Sequence, residues 1–382
     1  MRALRSVILA AVAAATLAAG TGSALADPPS GTVPAVTDIV AVGSDTTQFL
    51  GDQFSKDYNA TSPTNKFYSW DAVNPTTGVV GDTIKTKNDA NCSIVRPNGS
   101  GQGIAAVQNK LKASNGTNYC VDLARASRNI NSGDKAGIAS VIFAKDLITY
   151  AINSGGNGVT NLTDTDLTAI FECNASLISS SFSGPVKWSE VGGTSTDAIV
   201  PVLPQASSGT RSQWLSDIGV TATTIGSCVD NGSFGTSDPT IEENEGTNAV
   251  FTATGNPSGY KDVLFPFSGG SYVGQVYTKA SPDQHGTLVL EDIDGKAPLT
   301  STHTINTSGL SAFPAKYIRG LYLVTLNAGT ATAPKVPTTP VDLTKLLGQG
   351  NNTGWICGTT AATDITHFGF ATASNCGTLT GQ

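Results

Sequence analysis

The sequence predicts a secreted α/β protein of two lobes, each with a mixed, mainly parallel sheet flanked by helices. Apolar runs that suit buried strands alternate with segments of helical periodicity, and this alternation is typical of α/β folds. A chain of about 356 residues after removal of a leader exceeds one usual core, so we expect two lobes. An even number of cysteines in an exported chain indicates disulfides.

The first 26 residues have the features of a secretory signal peptide. Two Arg residues precede an apolar run from Val7 to Ala19, and the small residues around Leu25 form a cleavage site, so we expect cleavage after Ala26. The first cysteine is Cys92, far from the cleavage site, so no lipid anchor is expected. The mature protein should be freely secreted, or periplasmic if the source has an outer membrane.

The charge and the scattered histidines exclude several classes of function. A net charge of −7 without a basic run argues against nucleic acid and anionic membranes as partners. His285, His303 and His367 are far apart and no CxxC pair occurs, so no metal or other cofactor is expected. The Gly-x-Ser-x-Gly motif is absent around Ser208, so an enzyme is not expected. We expect a monomer.

The six cysteines allow 15 pairings, which the sequence alone leaves open. Pairing of sequence neighbours keeps each bridge local, and we favour it: Cys92–Cys120, Cys173–Cys228 and Cys357–Cys376.

Two small polar turns in the N-terminal part each open a predicted helix. A strand over Asp38–Val42 ends in a Gly-Ser-Asp-Thr-Thr turn, which includes Asp45 and Thr46, and a helical pattern follows. Further on, a Gly-Ser-Gly turn around Ser100 again precedes a helical pattern.

Two more strand ends have the same character. A strand over Cys120–Ala124 leads to Ser127 and Arg128. The apolar run 198–203 is followed by the turn 207–211, in which Ser208 or Thr210 can cap a helix, Gly209 permits close approach and Arg211 adds a cation. Thr163 is the expected cap of a further helix that ends at Phe171.

Together the four turns predict an anion site. Ligands of α/β sheets bind beyond the carboxyl ends of the strands, where unpaired N–H groups of helix starts attract anions. One such turn alone is more typical of an ordinary helix cap. Four turns, with Arg128 and Arg211 beside two of them, favour a site for an oxyanion.

The order of these motifs resembles the PstS-like phosphate-binding proteins, the substrate-binding components of phosphate ABC transporters. Ser208-Gly209-Thr210 resembles the Ser-Gly-Thr loop of that family, and the other three turns resemble its other ligand-binding turns. The segment from Leu162 to Trp188, the Arg319 strand and the Gly369-Phe370 pair are similar to further family motifs.

The resemblance implies a two-lobed periplasmic-binding-protein fold of type II that closes around inorganic phosphate or a related oxyanion. Lobe I would comprise 36–149 and 317–382, lobe II would comprise 150–316, and the hinge segments would lie near 145–152 and 313–322. ABC permease subunits are the implied protein partners. The implied ligand-binding residues are Asp45, Thr46, Ser100, Ser127, Arg128, Ser208, Gly209, Thr210 and Arg211.

Two positions depart from the family pattern. Pro204 stands where many members have an Arg, so Arg211 or Arg128 would have to supply the charge. Asp45 stands where Thr is usual. Its carboxylate either accepts a hydrogen bond from a protonated phosphate oxygen, or indicates another ligand, or simply caps the following helix.

Two other functions remain open at this point. A secreted scavenging or matrix protein could keep the fold without a transporter, and the absence of a lipid anchor favours it. A hydrolase could use paired carboxylates from Glu242, Glu243 and Glu245, although an acidic run of this kind is more typical of a solvated loop.

Overall fold

The computed structural model describes residues 27–29, 31–231 and 240–382. The predicted signal peptide, 1–26, lies outside the described residues. The strands are β1 (Ile39–Gly43), β2 (Phe67–Ser69), β3 (Thr83–Lys85), β4 (Ser93–Val95), β5 (Leu123–Ala126), β6 (Ile138–Asn153), β7 (Asn161–Leu162), β8 (Val200–Pro201), β9 (Val263–Ser268), β10 (Leu288–Leu290), β11 (Asp292–Ile293), β12 (Ile318–Leu326), β13 (Ala371–Thr372) and β14 (Leu379–Gly381). The helices are α1 (Gln48–Ala60), α2 (Ser100–Gln108), α3 (Asp164–Phe171), α4 (Gly209–Asp217), α5 (Gly269–Val276), α6 (Leu343–Leu347) and α7 (Thr359–His367).

One large mixed sheet organises these elements. Its strand order is β2-β1-β5-β12-β6-β9-β8, and β10, β13 and β14 also pair with β6. β1 lies parallel to β2 and β5, and β8 lies parallel to β9. β6 and β12 run antiparallel to their neighbours. The predicted α/β class is confirmed.

The 16-residue strand β6 connects two halves of this sheet. Its residues 138–147 pair with β12, and with β1, β2, β5, β13 and β14 they form what we call the first half. Its residues 148–153 pair with β9 and β10 and, with β8, form the second half. Almost all residues of β6 are buried, including Thr149 where the two halves join.

Each half of the sheet has its own apolar core. Phe54 and Leu347 belong to a cluster on the first half, whereas Trp188 and Trp214 belong to a cluster on the second half. Burial of large apolar side chains is the main stabilising term of such cores. The division into lobes at 145–152 and 313–322 stays a prediction, and the separate cores agree with it.

Three disulfides join sequence neighbours, as the sequence favoured. Cys92 bonds Cys120, Cys173 bonds Cys228, and Cys357 bonds Cys376. In the described part of the chain, no helix has the length and apolar character needed to cross a membrane.

Two helix starts follow the sequence closely. Thr163 caps α3 in a capping box, in which its side chain accepts from the Asp166 N–H and the Asp166 carboxylate accepts from the Thr163 N–H. Ser208 caps α4, since its Oγ accepts from the Arg211 N–H at 2.8 Å. Both caps satisfy N–H groups that would otherwise lack a partner.

Candidate functional site

The four turns that the sequence singled out meet at one place. The first turn follows β1, the second opens α2, the third follows β5, and the fourth opens α4. β1 and β5 are parallel neighbours, so their carboxyl ends lie side by side. Six hydroxyl side chains of these turns form what we call the hydroxyl cluster, and none is more than 7% exposed: Ser44, Thr46, Ser100, Ser127, Ser208 and Thr210.

Contacts within the hydroxyl cluster are short. The Ser127 Oγ lies 3.2 Å from both the Ser44 Oγ and the Ser100 Oγ. The Thr46 and Thr210 hydroxyls are 3.4 Å apart. Thr46 belongs to the first half of the sheet, whereas Thr210 starts α4, which packs against β9 of the second half. The cluster therefore spans both halves.

Gly209 is required by this close packing. A Cβ atom at Gly209 would lie 2.3 Å from both the Ser100 Oγ and the Ser127 Oγ, well inside van der Waals contact. Close approach also occurs in the backbone, where the Gly101 N–H donates to the Ser207 carbonyl at 2.9 Å. The start of α4 is thus pressed against the Ser100 turn.

Arg319 on β12 places a cation at the hydroxyl cluster. Its guanidinium donates to the Thr210 hydroxyl at 3.0 Å and to the Ser127 carbonyl at 3.1 Å. It also forms a buried ion pair with Asp146 at 2.8 Å. The sequence assigned Arg319 to a hinge strand and missed this contact.

The two arginines that the sequence placed beside the site are used elsewhere. Arg128 forms a bidentate pair with Asp134, with both N–O distances at 2.8 Å. The Arg211 guanidinium donates to the Pro204 carbonyl at 3.1 Å and to Asn231 at 2.8 Å. Among the residues that the structure describes, neither guanidinium contacts the hydroxyl cluster, because each has other partners, and a ligand-binding role for Arg128 and Arg211 stays a prediction.

A carboxylate of the chain itself lies among the hydroxyls. The Glu243 Oε2 accepts from the Thr46 hydroxyl at 2.5 Å and from the Thr210 hydroxyl at 2.9 Å. Glu243 is only 4% exposed. The expectation of a solvated acidic loop is wrong here, because donors from both halves of the sheet surround this carboxylate.

The Asp45 side chain lies beside the buried Glu243 carboxylate. In the described part of the chain, neither Asp45 carboxyl oxygen has a well-formed hydrogen bond from an N–H or O–H group. Burial, and then the charge of Glu243, hold the pKa of Asp45 well above its usual range. Burial also works to raise the pKa of Glu243, but hydrogen bonds from Asp45, Ser208 and Thr46 outweigh it and lower that pKa.

Asp45 does not cap α1. The N-cap residue is Thr47, and no side chain makes a capping hydrogen bond there. The interpretation of Asp45 as an ordinary helix cap is therefore wrong. Its side chain faces the buried carboxylate instead.

Glu242 is held by amides from both halves of the sheet. It accepts from the Asn98 Nδ2 at 2.9 Å and from the Gln205 Nε2 at 3.0 Å. Burial is the main cause that raises its pKa, to about 8. Hydrogen bonds thus hold two successive carboxyl groups of the acidic run, those of Glu242 and Glu243.

Glu242→Gln is expected to flatten the pH dependence of stability. The folded-state pKa of about 8 lies above the ordinary glutamate pKa of 4.5, so the folded protein binds more protons than the unfolded chain between these pH values. The free energy of unfolding therefore falls as the pH rises from about 5 to 8. Over this pH range, we expect the free energy of unfolding of the variant to fall by about 1–3 kcal/mol less than that of the wild type. Urea unfolding at pH 5, 7 and 8 measures the free energy of unfolding of both proteins. Parallel pH profiles for the variant and the wild type would contradict the raised pKa of Glu242.

A cleft of about 380 Å³ borders the hydroxyl cluster. Its lining includes Asp45 and Glu243 on one side and Asn248, Gln275, Phe368 and Phe370 around the rest. No group of His, Cys, Asp or Glu side chains among the described residues is arranged to hold a metal ion. The chemistry on offer is a set of hydroxyl donors, a buried guanidinium and a helix start, which suits an anion.

Comparison with known proteins finds a family and a fold. A family model described as a PBP superfamily domain matches residues 30–305. No curated protein matches the chain.

Two solved structures share the fold at low sequence identity. One is an ABC-type phosphate transport receptor from Vibrio cholerae, with 15% identity and a TM-score of 0.51; the match covers 88% of this chain and 100% of that chain. The other is a phosphate ABC transporter substrate-binding protein from Clostridium perfringens with bound phosphate. It has 14% identity and a TM-score of 0.50, and the match covers 88% of this chain and 99% of that one.

Proposed function

The chain belongs to the PBP superfamily, and from this premise we propose that it reversibly binds a tetrahedral oxyanion, inorganic phosphate first, at the hydroxyl cluster. Of the two solved structures compared above, one is described as a phosphate transport receptor and the other as a phosphate ABC transporter substrate-binding protein with bound phosphate. The ligand would lie between the two halves of the sheet, and these halves would act as lobes that close on it.

One observation carries this proposal: the hydroxyl cluster already binds an anion. Thr46 and Thr210 both donate to the Glu243 carboxylate. Hydroxyl groups can turn to donate or to accept, and here they donate to a negative oxygen. A phosphate oxygen presents the same charge and the same acceptor geometry, so it can take the same donors.

Arg319 supports the proposal because it places a positive charge against the same hydroxyls. Its guanidinium contacts Thr210 at 3.0 Å while Asp146 balances its charge. The helix α4 adds backbone N–H groups at its start, which favour an anion. Arg319 thus takes the role that the sequence assigned to Arg211.

We further propose that the protein acts outside the cytoplasm as a receptor and not as an enzyme. The three disulfides suit an oxidising compartment, and the signal-peptide features of the first 26 residues suit export. Permease subunits of an ABC transporter would be the partners that receive the ligand.

A thermal-shift screen tests the proposed ligand directly. A ligand that binds only the folded state raises the Tm by an amount that depends on its concentration relative to Kd. We expect phosphate to raise the Tm progressively, arsenate to act similarly and sulfate to act less. No shift with phosphate, arsenate, sulfate, molybdate or phosphonates at millimolar concentration would refute oxyanion binding.

Ser127→Ala is expected to weaken phosphate binding about tenfold or more. The substitution removes one buried donor from the hydroxyl cluster, and hydrogen bonds to charged groups contribute about 1.5–3 kcal/mol. It leaves the contacts of Glu243 intact, since Ser127 bonds Ser44 and Ser100 instead. Isothermal titration measures Kd, with the exposed Ser132→Ala as the matched control. Equal Kd values for both variants would place the ligand elsewhere.

A further inference from the structure

We propose that Glu243 is an internal ligand of the oxyanion site, which an incoming oxyanion must displace. This inference rests on the proposed function and goes beyond it, because it assigns the affinity and the ligand-free state of the site to one side chain. The carboxylate of Glu243 occupies the donors that a phosphate oxygen would use.

The contacts of Glu243 join the two halves of the sheet as a bound anion would. One donor, Thr46, follows β1 in the first half, and the other, Thr210, starts α4 on the second half. Arg319 donates to the same Thr210 hydroxyl. The closed arrangement around the cluster therefore does not require an external ligand, since a carboxylate of the chain already links both sides.

The neighbouring residue holds Glu243 in this position. Asn244 has a φ of +58°, a left-handed conformation that Asn tolerates better than most residues. Its side chain accepts from the Ser268 N–H at 2.8 Å and donates to the Thr46 hydroxyl at 3.2 Å, while its carbonyl accepts from Gln275 at 2.9 Å. These three contacts of Asn244 fix the backbone of this turn and aim the Glu243 side chain at the hydroxyl cluster.

The charge of the site makes displacement necessary. Asp146 balances Arg319, so this guanidinium has no surplus positive charge for a second anion beside Glu243. Two anions on the same hydroxyls would repel each other strongly in a buried site. The cleft of about 380 Å³ next to Glu243 offers the space into which its side chain can withdraw.

Displacement sets a threshold for binding. A ligand whose site is free for only a fraction of the time binds with an apparent affinity reduced by that fraction. Glu243 therefore lowers the affinity for phosphate, and only an anion that makes more contacts than a single carboxylate replaces it. A dianion with four oxygens, such as phosphate, meets this requirement, whereas acetate or formate does not.

The test compares Glu243→Ala with Glu245→Ala. Glu245 lies in the same acidic run but is partly exposed, and its carboxylate accepts from the nearby Thr247 hydroxyl. Isothermal titration with phosphate is expected to give a Kd at least tenfold lower for Glu243→Ala than for the wild type, and a Kd within twofold of the wild type for Glu245→Ala. A Kd for Glu243→Ala that is unchanged or higher would overturn the proposal.

A second measurement works without phosphate. Glu243→Ala leaves a vacant carboxylate position, so sodium acetate or formate is expected to raise the Tm of this variant, compared with sodium chloride at equal ionic strength, and to leave the wild type unchanged. If these carboxylates stabilise the variant while no oxyanion binds either protein, the internal ligand stands and the proposed function fails. If neither carboxylates nor oxyanions have any effect, both fail.

Glu243→Gln covers the case in which the alanine variant does not fold. The amide oxygen can still accept from Thr46 or Thr210, but without a negative charge it competes less well with phosphate. We expect a Kd for phosphate at least threefold below that of the wild type. A Kd equal to or above the wild-type value would overturn the proposal as firmly as the alanine result.

Discussion

Arg319→Met is expected to lower the free energy of unfolding by about 3–5 kcal/mol and to abolish measurable phosphate binding. The substitution leaves Asp146, which is fully buried, without its ionic partner. It also removes the cation beside Thr210. Met keeps much of the length of the side chain, so the loss reports the charge and not an empty space. Urea unfolding and isothermal titration with phosphate measure the two effects.

Lys316→Met is the matched control for Arg319→Met. Lys316 pairs with Asp164 at the surface, where both side chains are 41% exposed. Exposed ion pairs contribute about 0–1 kcal/mol, because water screens the charges and long side chains lose freedom. Similar losses for both variants would show that the Arg319–Asp146 pair is not the central electrostatic contact that its burial indicates.

Loss of the Cys173–Cys228 disulfide is expected to reduce stability by about 4 kcal/mol. The bridge closes a separation of 55 residues, the longest of the three. A crosslink removes freedom mainly from the unfolded chain, and this effect grows slowly with the length of the closed loop. Unfolding in urea of the double variant Cys173→Ala, Cys228→Ala measures the loss.

The double variant Cys357→Ala, Cys376→Ala provides the comparison, since that bridge closes only 19 residues. Its expected cost is about 3 kcal/mol by the same relation. If the shorter loop costs clearly more than the longer one, contacts in the folded protein and not chain entropy govern these bridges.

Much of the site was visible in local sequence patterns. The turn at Ser208, Gly209 and Thr210 follows a strand and opens a helix, and short-range rules for caps and close approach predicted its structure. The meeting of the turns after β1 and β5 followed from one further rule, that parallel neighbours end at the same edge of a sheet. Local chemistry and topology therefore sufficed for the hydroxyls of these two turns.

The charged groups that contact the hydroxyl cluster, Arg319 and Glu243, could not be predicted from local patterns. Arg319 reaches Thr210 across a sequence separation of 109 residues, and Glu243 reaches Thr46 across 197. No local pattern links these pairs, because their meeting depends on how β12 and the acidic run pack in the folded chain. Arg128 and Arg211 were nearer in sequence, but each found another partner.

The burial of the acidic run was equally difficult to predict from the local sequence. Glu242, Glu243 and Asn244 lie among turn-forming residues, and such residues usually face water. Their burial depends on donors such as Asn98, Gln205 and Thr210, which come from other segments. Burial of a carboxyl group is thus a property of its partners and is not encoded in its neighbours along the chain.

The long strand β6 couples the two cores in unfolding. Its first ten residues pair with β12 and its last residues pair with β9 and β10, so neither core keeps its central pairings if this strand leaves the sheet. The two halves of the sheet are therefore expected to unfold together. A substitution deep in either core therefore lowers the stability of the binding site between them, even at a distance from every residue that would touch the ligand.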